Sequence, residues 1–312
     1  MSKFRETLRA SLKSNDTEEW IDLWFTRPVG LLVALACRRL GIRPNAVTIF
    51  SIFLGAASGF MFSYPDVGHN IAGVLLLMSA NFLDSADGQL ARLTNHKTLT
   101  GRILDGFSGD VWFFAIYFGI CCRLMGVQIP GADISWGIWI WVLAFIAGVM
   151  CHSPQASLAD YYRQIYLFFL KGKQGSELDT YAEQRRIYDS IPKKGHWLEK
   201  AFYFNYSNYC RSQERRTRCF QKMMAAINEK YGDASLVPDV LRNEFLAKTK
   251  PLLKYTNILT FNIRAISLYV TCLLGCPWVH FIIEITVMNF IYVYMQKRHE
   301  KICLEITRTL QG

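Results

Sequence analysis

Three aspartates lie at the ends of two apolar stretches, at a spacing that suits cation binding. Asp84 and Asp87 follow the apolar stretch 71–83, and Asp105 precedes the apolar stretch 111–124. A charge near hydrocarbon costs on the order of several kcal/mol unless it is paired or bound to a metal. If both segments are helices joined by a short polar turn, the three carboxylates meet and repel one another, so they require divalent cations. Oxygen ligands favour hard ions, here two Mg²⁺ or Mn²⁺ ions.

Small residues and an arginine accompany these carboxylates. Gly88 and Ala91 share a helix face with the first two aspartates, at i+4 and i+7 from Asp84. Small side chains there let a phosphorylated group approach the backbone, and Gly101 leaves a similar gap on the second helix. Arg92 has bidentate reach to phosphate. Metals neutralise a leaving phosphate, and a remaining carboxylate can take the proton of an attacking hydroxyl, so the pattern suits a pyrophosphate substrate.

The composition indicates an all-α, polytopic membrane protein. The chain has 312 residues, of which 51% are hydrophobic, and the apolar residues form long clusters rather than an amphipathic period. The net charge of +10 suits an anionic membrane surface or phosphate-bearing substrates. No nucleic-acid recognition module is visible, so nucleic acid is not an expected partner.

Six membrane-spanning helices follow from the apolar segments. They are predicted at residues 46–64, 69–83, 102–124, 134–151, 257–276 and 277–295. Before them, the segment 17–40 has an amphipathic pattern, which Arg27-Pro28 is expected to break in two. We place this segment in the membrane interface, with a first spanning helix as the alternative. Pro154 is expected to mark the polar end of the fourth span.

These segments give a five-part organisation. The parts are an N-terminal segment with the interfacial helix (1–43), spans one to four (44–155), a basic helical insertion (156–254), spans five and six (255–298) and a tail (299–312). Lysine and arginine concentrate at both termini, in the turn between spans two and three and in the insertion. The other three turns contain none, which predicts that both termini and the acidic motif are cytoplasmic.

The acidic motif resembles the signature of the CDP-alcohol phosphotransferases, also called CDP-alcohol phosphatidyltransferases. The matching residues are Asp84-x-x-Asp87-Gly88-x-x-Ala91-Arg92, then eight residues, then Gly101-x-x-x-Asp105. The stretch 43–48, at the start of the first span, is also similar to that family. The resemblance implies a six-helix membrane enzyme, a homodimer, that transfers a phosphoalcohol from a CDP-linked donor to a hydroxyl acceptor and releases CMP.

The resemblance also implies residue roles. Asp84, Asp87 and Asp105 would bind metal. The residues that would frame the CDP moiety are Gly88, Ala91, Arg92 and Gly101, together with Asp84.

One position departs from the family pattern. The family expects a further aspartate four residues after Asp105, as metal ligand and general base, but that position is Gly109 and the next acid is Asp110. On a regular helix Asp110 lies about 140° around the axis from Asp105. A one-residue π-bulge would bring it back, and such bulges favour functional sites. We therefore predict Asp110 as catalytic base and metal ligand, and Asp105 as the second catalytic residue. The alternative is that Asp110 caps or pairs elsewhere, and that the protein is impaired or uses another base.

The acceptor is left open by the sequence. CDP-diacylglycerol could donate a phosphatidyl group to a small polyol or polyol phosphate, of the inositol phosphate type, or a CDP-linked head group could pass to a lipid hydroxyl. Arg264, together with the basic insertion, favours an anionic acceptor. Glu284 is expected to pair with His280 one turn earlier, or to act as a functional intramembrane acid. An ion or solute transporter and an inactive scaffold are the rival interpretations.

Overall fold

Helices make up almost all of the ordered secondary structure. The computed structural model describes residues 7–8, 16–96, 98–192 and 195–311, so residues 1–6 and 9–15 of the predicted N-terminal part lie outside the described residues. Within the described ranges there is no β-strand, and one isolated β-bridge joins Gln128 and Ser135 in a loop. The predicted all-α fold class is confirmed.

Fourteen α-helices are described, and three π-helical segments adjoin them. The helices are α1 (Arg27–Arg39), α2 (Pro44–Phe62), α3 (Val67–Thr94), α4 (Leu99–Leu124), α5 (Trp139–Phe145), α6 (Ser153–Lys171), α7 (Tyr181–Ser190), α8 (Trp197–Arg216), α9 (Arg218–Tyr231), α10 (Asp239–Thr249), α11 (Leu253–Ile258), α12 (Phe261–Leu273), α13 (Trp278–Ile283) and α14 (Asn289–Gln311). The π-helical segments are Asp22–Thr26, Ile146–His152 and Glu284–Met288. The chain divides into two compact units, Met1–Ser153 with Asn262–Val287 and Pro154–Phe261 with Met288–Gly312.

Four helical stretches of the described chain are long and apolar enough to cross a membrane, which supports an integral membrane protein. They are Pro44–Phe62, Gly101–Leu124, Trp139–Lys171 and Trp278–Gln311. The predicted count of six spans is not confirmed. The second and fifth predicted spans fall on α3 and α12, which are not among the four. Helix α12 has 13 residues, about 20 Å of helix at the usual rise, whereas a bilayer core is about 30 Å thick.

Two prolines that were expected to interrupt helices lie inside continuous ones. The chain is helical through Pro28, and Pro154 lies within the candidate span Trp139–Lys171. A π-helical segment precedes each proline. The N–H of Arg27 donates to the carbonyl of Asp22, and the N–H of Ser153 donates to that of Gly148. This wider turn relieves the crowding between a proline ring and the preceding carbonyls, so the helix continues.

Helix α2 packs on α4 through two glycines four residues apart, Gly55 and Gly59. A Cβ on Gly55 would overlap the indole ring of Trp112, and one on Gly59 would overlap the backbone of Ala115. From the other side, a Cβ on Gly119 would overlap the carbonyl oxygen of Gly59. The two backbones are therefore in direct contact, which fixes α4 and its Asp105 relative to α2.

The second unit has its own core. Phe169 lies 4.2 Å from Phe245 between ring centroids, and the His299 imidazole stacks on Tyr162 at 4.0 Å. The Glu300 carboxylate accepts hydrogen bonds from two backbone N–H groups at the start of α9. A carboxylate at a helix N-terminus is a stabilising cap, so Glu300 has a structural explanation.

We predict that Gly119→Ala destabilises the first unit. The added methyl group must displace α2 from α4, and such overpacking typically costs about 1–3 kcal/mol. Thermal unfolding of the purified protein in detergent, followed by near-UV circular dichroism, measures the loss as a lower Tm. Gly126→Ala is the matched control, because a Cβ there meets no atom within 4 Å. Equal Tm values for the two variants would contradict the close contact.

Candidate active site

The acidic motif lies on two helices joined by a tight turn. Asn95 ends α3 in the left-handed conformation, at φ 53°, which a helix C-terminus commonly adopts. Thr98 begins α4 as its N-cap, where its hydroxyl accepts a hydrogen bond from the N–H of Gly101 at 3.0 Å. The short polar turn thus reverses the direction of the chain, and the acidic end of α3 faces the start of α4.

Three aspartates meet in this helix pair. One carboxylate oxygen from each of Asp84, Asp87 and Asp105 lies within 4.8 Å of the others. Asp87 is buried, Asp84 is half-buried and Asp105 is exposed, so the cluster has a closed side and an open side. Oxygen-only donors at this spacing suit a hard divalent ion. The sequence prediction that these three carboxylates converge agrees with this geometry.

Two hydroxyl groups that the sequence analysis did not single out hold the carboxylates. The Thr48 hydroxyl of α2 donates to Asp87, and the Ser108 hydroxyl donates to Asp84 at 2.9 Å. Both hydroxyls are buried. Ser108 lies one turn after Asp105, and that spacing was the one sequence signal that pointed to it. Each hydrogen bond fixes the direction in which a carboxylate points.

Burial and mutual repulsion raise the pKa values of the two carboxyls on α3. Burial raises the pKa of Asp84 to about 7, with a further contribution from Asp105. Burial raises the pKa of Asp87 to about 9, and the charges of Asp84 and Asp105 add to this. Each shift means that ionising the cluster without a cation is unfavourable.

Two arginines border the cluster. Arg27 of α1 binds Glu18 through two hydrogen bonds, at 3.0 and 3.3 Å, and its positive charge lowers the pKa of Asp84 against the larger effects of burial and Asp105. Arg92 of α3 has a buried Nε atom without a hydrogen-bond partner in the described structure. An unsatisfied buried guanidinium donor is costly, so an anionic ligand would stabilise it.

The two motif glycines have different neighbours. A Cβ on Gly101 would lie 2.8 Å from the Asn45 side-chain oxygen, so a larger residue there would have to displace the Asn45 side chain. A Cβ on Gly88 would lie 3.5 Å from the Arg92 guanidinium, which is an ordinary contact. The fold therefore does not require a glycine at position 88, and room for a ligand explains it better.

The predicted π-bulge near Asp110 is absent. Helix α4 is a regular α-helix from Leu99 to Leu124, so Asp110 stays about 140° around the axis from Asp105. The convergent cluster within the described residues contains three carboxylates and not four. Asp110 instead lines a cavity in the same unit. Helix α4 is packed closely against α2, and Gly106 and Gly109 do not distort it.

This cavity has a volume of about 600 Å³ and is mostly apolar. Its polar lining groups include Asp110, Tyr117, His152 and Ser153. The larger apolar groups are Phe113, Phe114, Phe118, Trp141, Phe145 and Val149. The volume falls within the range of about 300–1,000 Å³ that is usual for small-molecule sites.

Arg264 is not available to dock an anionic acceptor, which corrects the prediction made for it. Its side chain is 1% exposed, and its Nη1 atom donates to the Glu284 carboxylate at 2.6 Å. His280 also lies 3.7 Å from Glu284, as expected from their spacing. The arginine is therefore engaged in a buried ion pair and does not face a ligand.

A comparison with protein-family models matches residues 41–160 to the CDP-alcohol phosphatidyltransferase family. The matched segment contains α2, α3, α4 and every residue of the acidic motif. The match covers 120 of the 312 residues and is therefore a likeness of this segment to the family. The resemblance seen in the sequence is confirmed for this segment, whereas comparison of the chain with curated proteins gives no match.

CDP-alcohol phosphatidyltransferase domains belong to transferases that take a phosphatidyl group from a CDP-alcohol, and the family generally uses a divalent metal. The aspartate cluster of this segment fits that requirement in its donor atoms and their spacing.

We predict that Mn²⁺ binding to this cluster weakens as the pH falls from 8 to 6. Asp84, with a pKa of about 7, takes up a proton in this range, and Asp87, with a pKa of about 9, is already largely protonated at pH 8, so the ion must displace a proton from each carboxyl as it binds. Each displaced proton changes the apparent affinity by up to about tenfold per pH unit. Isothermal titration calorimetry measures the dependence, with the Asp84→Asn, Asp87→Asn double variant as the control without binding. An affinity that is constant or higher at pH 6 would contradict the prediction.

Proposed function

We propose that this protein is a membrane enzyme of phospholipid synthesis that transfers a phosphoalcohol group from a CDP-linked donor to a hydroxyl acceptor, with release of CMP. The observation that carries the proposal is the convergence of three carboxylates beside Arg92, whose buried Nε atom has no partner in the described structure. A cation cluster with an adjoining anion site is the arrangement that a diphosphate needs.

Each residue of the acidic motif has a separate role in the proposed reaction. Asp84, Asp87 and Asp105 would hold two Mg²⁺ or Mn²⁺ ions. When bound, such ions would supply Lewis-acid chemistry and charge stabilisation at the diphosphate. Arg92 binds a phosphate oxygen of the donor, and the gap at Gly88 admits the nucleotide to the backbone of α3. The exposed position of Asp105 makes it the metal ligand that the incoming substrates meet first.

Two acceptor classes fit this chemistry. A small polyol or polyol phosphate would accept a phosphatidyl group from CDP-diacylglycerol. A lipid hydroxyl would accept a CDP-linked head group. The burial of Arg264 removes one feature that favoured an anionic acceptor. The apolar cavity that ends at Asp110 favours the lipid hydroxyl.

A purified, metal-loaded sample provides the first test. We expect Mn²⁺- or Mg²⁺-dependent CMP release with CDP-diacylglycerol or a CDP-linked head group as donor, measured against a panel of polyol and lipid acceptors. Asp105→Asn should lower the rate by at least about 100-fold, because it removes a ligand from the cluster. Asp110→Asn should retain metal-dependent CDP binding, because Asp110 lies outside the cluster.

Two results would contradict the proposal. CDP binding without CMP release from any donor would indicate an inactive scaffold. Cation movement across a sealed vesicle without CDP binding would indicate a transporter.

We also predict that Gly88→Ala weakens CDP binding without destabilising the fold. The methyl group meets only Arg92, at an ordinary contact distance, but it occupies the space assigned to the donor. Calorimetric titration with CDP in the presence of Mn²⁺ should show at least a tenfold weaker Kd at an unchanged Tm. Gly126→Ala is the control, because a Cβ there also has no neighbour within 4 Å and Gly126 lies outside the acidic motif. An unchanged Kd would remove Gly88 from the binding site.

A further inference from the structure

The cavity beside Asp110 has a polar end and an apolar body. Asp110, His152 and Ser153 are polar lining residues, whereas aromatic and aliphatic side chains form most of the remaining wall. The rings of Phe114, Phe118 and Phe145 are exposed in addition to lining the cavity. They belong to two candidate membrane spans, so the cavity is accessible from the hydrocarbon of a bilayer.

His152 is held in a defined orientation. Its Nδ1 atom lies 3.2 Å from the buried Glu284 carboxylate and 3.3 Å from the Tyr117 hydroxyl, which itself donates to Glu284 at 2.6 Å. Because the tyrosine proton is used for Glu284, the Nδ1 atom carries the proton that His152 donates. Among the described residues both partners approach Nδ1, so Nε2 is the atom available to a ligand. A carboxylate that orients a histidine in this way prepares it as a proton acceptor.

Both residues of this pair come from π-helical segments. His152 ends the segment Ile146–His152, and Glu284 begins the segment Glu284–Met288. π-helical turns occur frequently at functional sites, because they redirect side chains that a regular helix would place elsewhere. The ion pair with Arg264 holds Glu284 in place.

A strip without side chains connects the polar end of the cavity with the carboxylate cluster. On the regular helix α4, Gly109 lies about 40° and Gly106 about 100° around the axis from Asp105, with Asp110 at about 140°. A Cβ on either glycine would meet no atom within 4 Å. Asp110 is about 7.5 Å along the axis from Asp105. The space over these two glycines therefore allows the lipid hydroxyl and the donor phosphorus to meet between the cavity and the cluster.

We propose that this cavity is the acceptor site, that it takes a lipid alcohol with its apolar chain among the aromatic rings, and that His152, oriented by Glu284, removes the proton of the lipid hydroxyl. This inference rests on the proposed transfer reaction. It gives the acceptor a chemical class and supplies a base in place of the carboxylate that is absent at Gly109.

The charge of the lining selects the occupant. No lysine or arginine is among the lining residues, and Asp110 places a carboxylate at the polar end. An anionic polyol phosphate or the diphosphate of a donor would be repelled there, whereas a neutral hydroxyl can donate to a carboxylate or an imidazole. The acceptor that matches is neutral, with a hydroxyl at one end and one or more hydrocarbon chains.

The chemical step balances. The hydroxyl oxygen forms the new bond to phosphorus, and its proton passes to Nε2 of His152. The bond between that phosphorus and the CMP oxygen breaks, and CMP leaves with the electron pair. The resulting imidazolium is stabilised by the adjacent Glu284 carboxylate until it returns the proton to solvent.

Photolabelling of the full chain in nanodiscs tests the site without relying on activity. The probe is a diacylglycerol with a diazirine on one acyl chain, and mass spectrometry locates the adducts. We expect adducts on Phe114, Phe118 or Phe145 that unlabelled diacylglycerol suppresses. Ala144→Trp, which fills the cavity, should reduce labelling at least fivefold. Val142→Trp on the same helix is the matched control, because Val142 is exposed and is not a lining residue.

Kinetic measurements test the base and the strip. His152→Gln should keep the labelling and the KM for the CDP donor while kcat falls about 100-fold, because glutamine can hydrogen-bond but cannot take the proton. Gly109→Leu should likewise keep the labelling and the metal-dependent binding of CDP but slow the transfer, because it blocks the path between the two sites. An unchanged kcat in His152→Gln would reject the histidine as base.

The remaining outcomes separate this inference from the proposed function. Transfer to a soluble polyol at the same rate in Ala144→Trp would overturn the lipid site and keep the enzyme. Suppressible labelling without CMP release would support the lipid site and reject both the transfer reaction and the base. A disulfide between two Phe114→Cys copies, together with no labelling, would show that a second copy covers the cavity and would overturn the proposal.

Discussion

The mutual repulsion of three carboxylates is the constraint on which the first unit depends. Their oxygens lie within 4.8 Å of one another, which corresponds to about 3–4 kcal/mol of repulsion per pair at an effective dielectric constant of 20. Hydrogen bonds from Thr48 and Ser108 each return about 1.5–3 kcal/mol when they bind a charged group. Even with solvent screening at the exposed Asp105, two hydroxyls do not offset three repulsive pairs. The helix contacts that hold α2, α3 and α4 together therefore maintain a site whose charge must be balanced by protons or by cations.

A second acid, Glu284, has its negative charge balanced by neighbouring side chains and not by a cation. Glu284 is fully buried, yet Arg264, Tyr117, His152 and His280 surround its two oxygens at 2.6 to 3.7 Å. Its charge is balanced within the protein, so it needs no cation. A buried pair of this kind adds little net stability, because desolvation cancels most of its attraction, but it fixes geometry. In this unit it fixes the imidazole that faces the cavity. The protein thus contains one acidic centre that requires a ligand and one that orients a side chain.

Much of the fold and of the carboxylate cluster was predictable because those features depend on local spacing. The i, i+3 and i+4 positions of the acidic motif and the glycines of α2 specify helix faces directly. The errors arose where distant groups decide the outcome. Pro28 and Pro154 remain inside helices because a preceding π-helical segment moves the hydrogen bonds by one residue. Arg264 was assigned to an acceptor because its partner Glu284, 20 residues away, lies on another helix. No pattern in one sequence pairs such residues.

The glycine at position 109 has a different meaning in the structure than in the sequence. Compared with the family pattern, Gly109 stands where a carboxylate is expected. A π-bulge that returned Asp110 to the cluster was the simplest way to restore that carboxylate. Helix α4 is regular, so this bulge is absent. Gly109 therefore lies on a strip of helix surface without side chains, between the cluster and the cavity. A carboxylate there would place a fourth negative charge beside three that already repel, on the path that a lipid head group would follow. Moving the proton acceptor to an imidazole held by Glu284 avoids that repulsion, because neutral histidine adds no charge until it takes the proton. In the proposed mechanism, the hydrogen-bond network around His152 therefore supplies the proton acceptor that the missing carboxylate at Gly109 would otherwise provide.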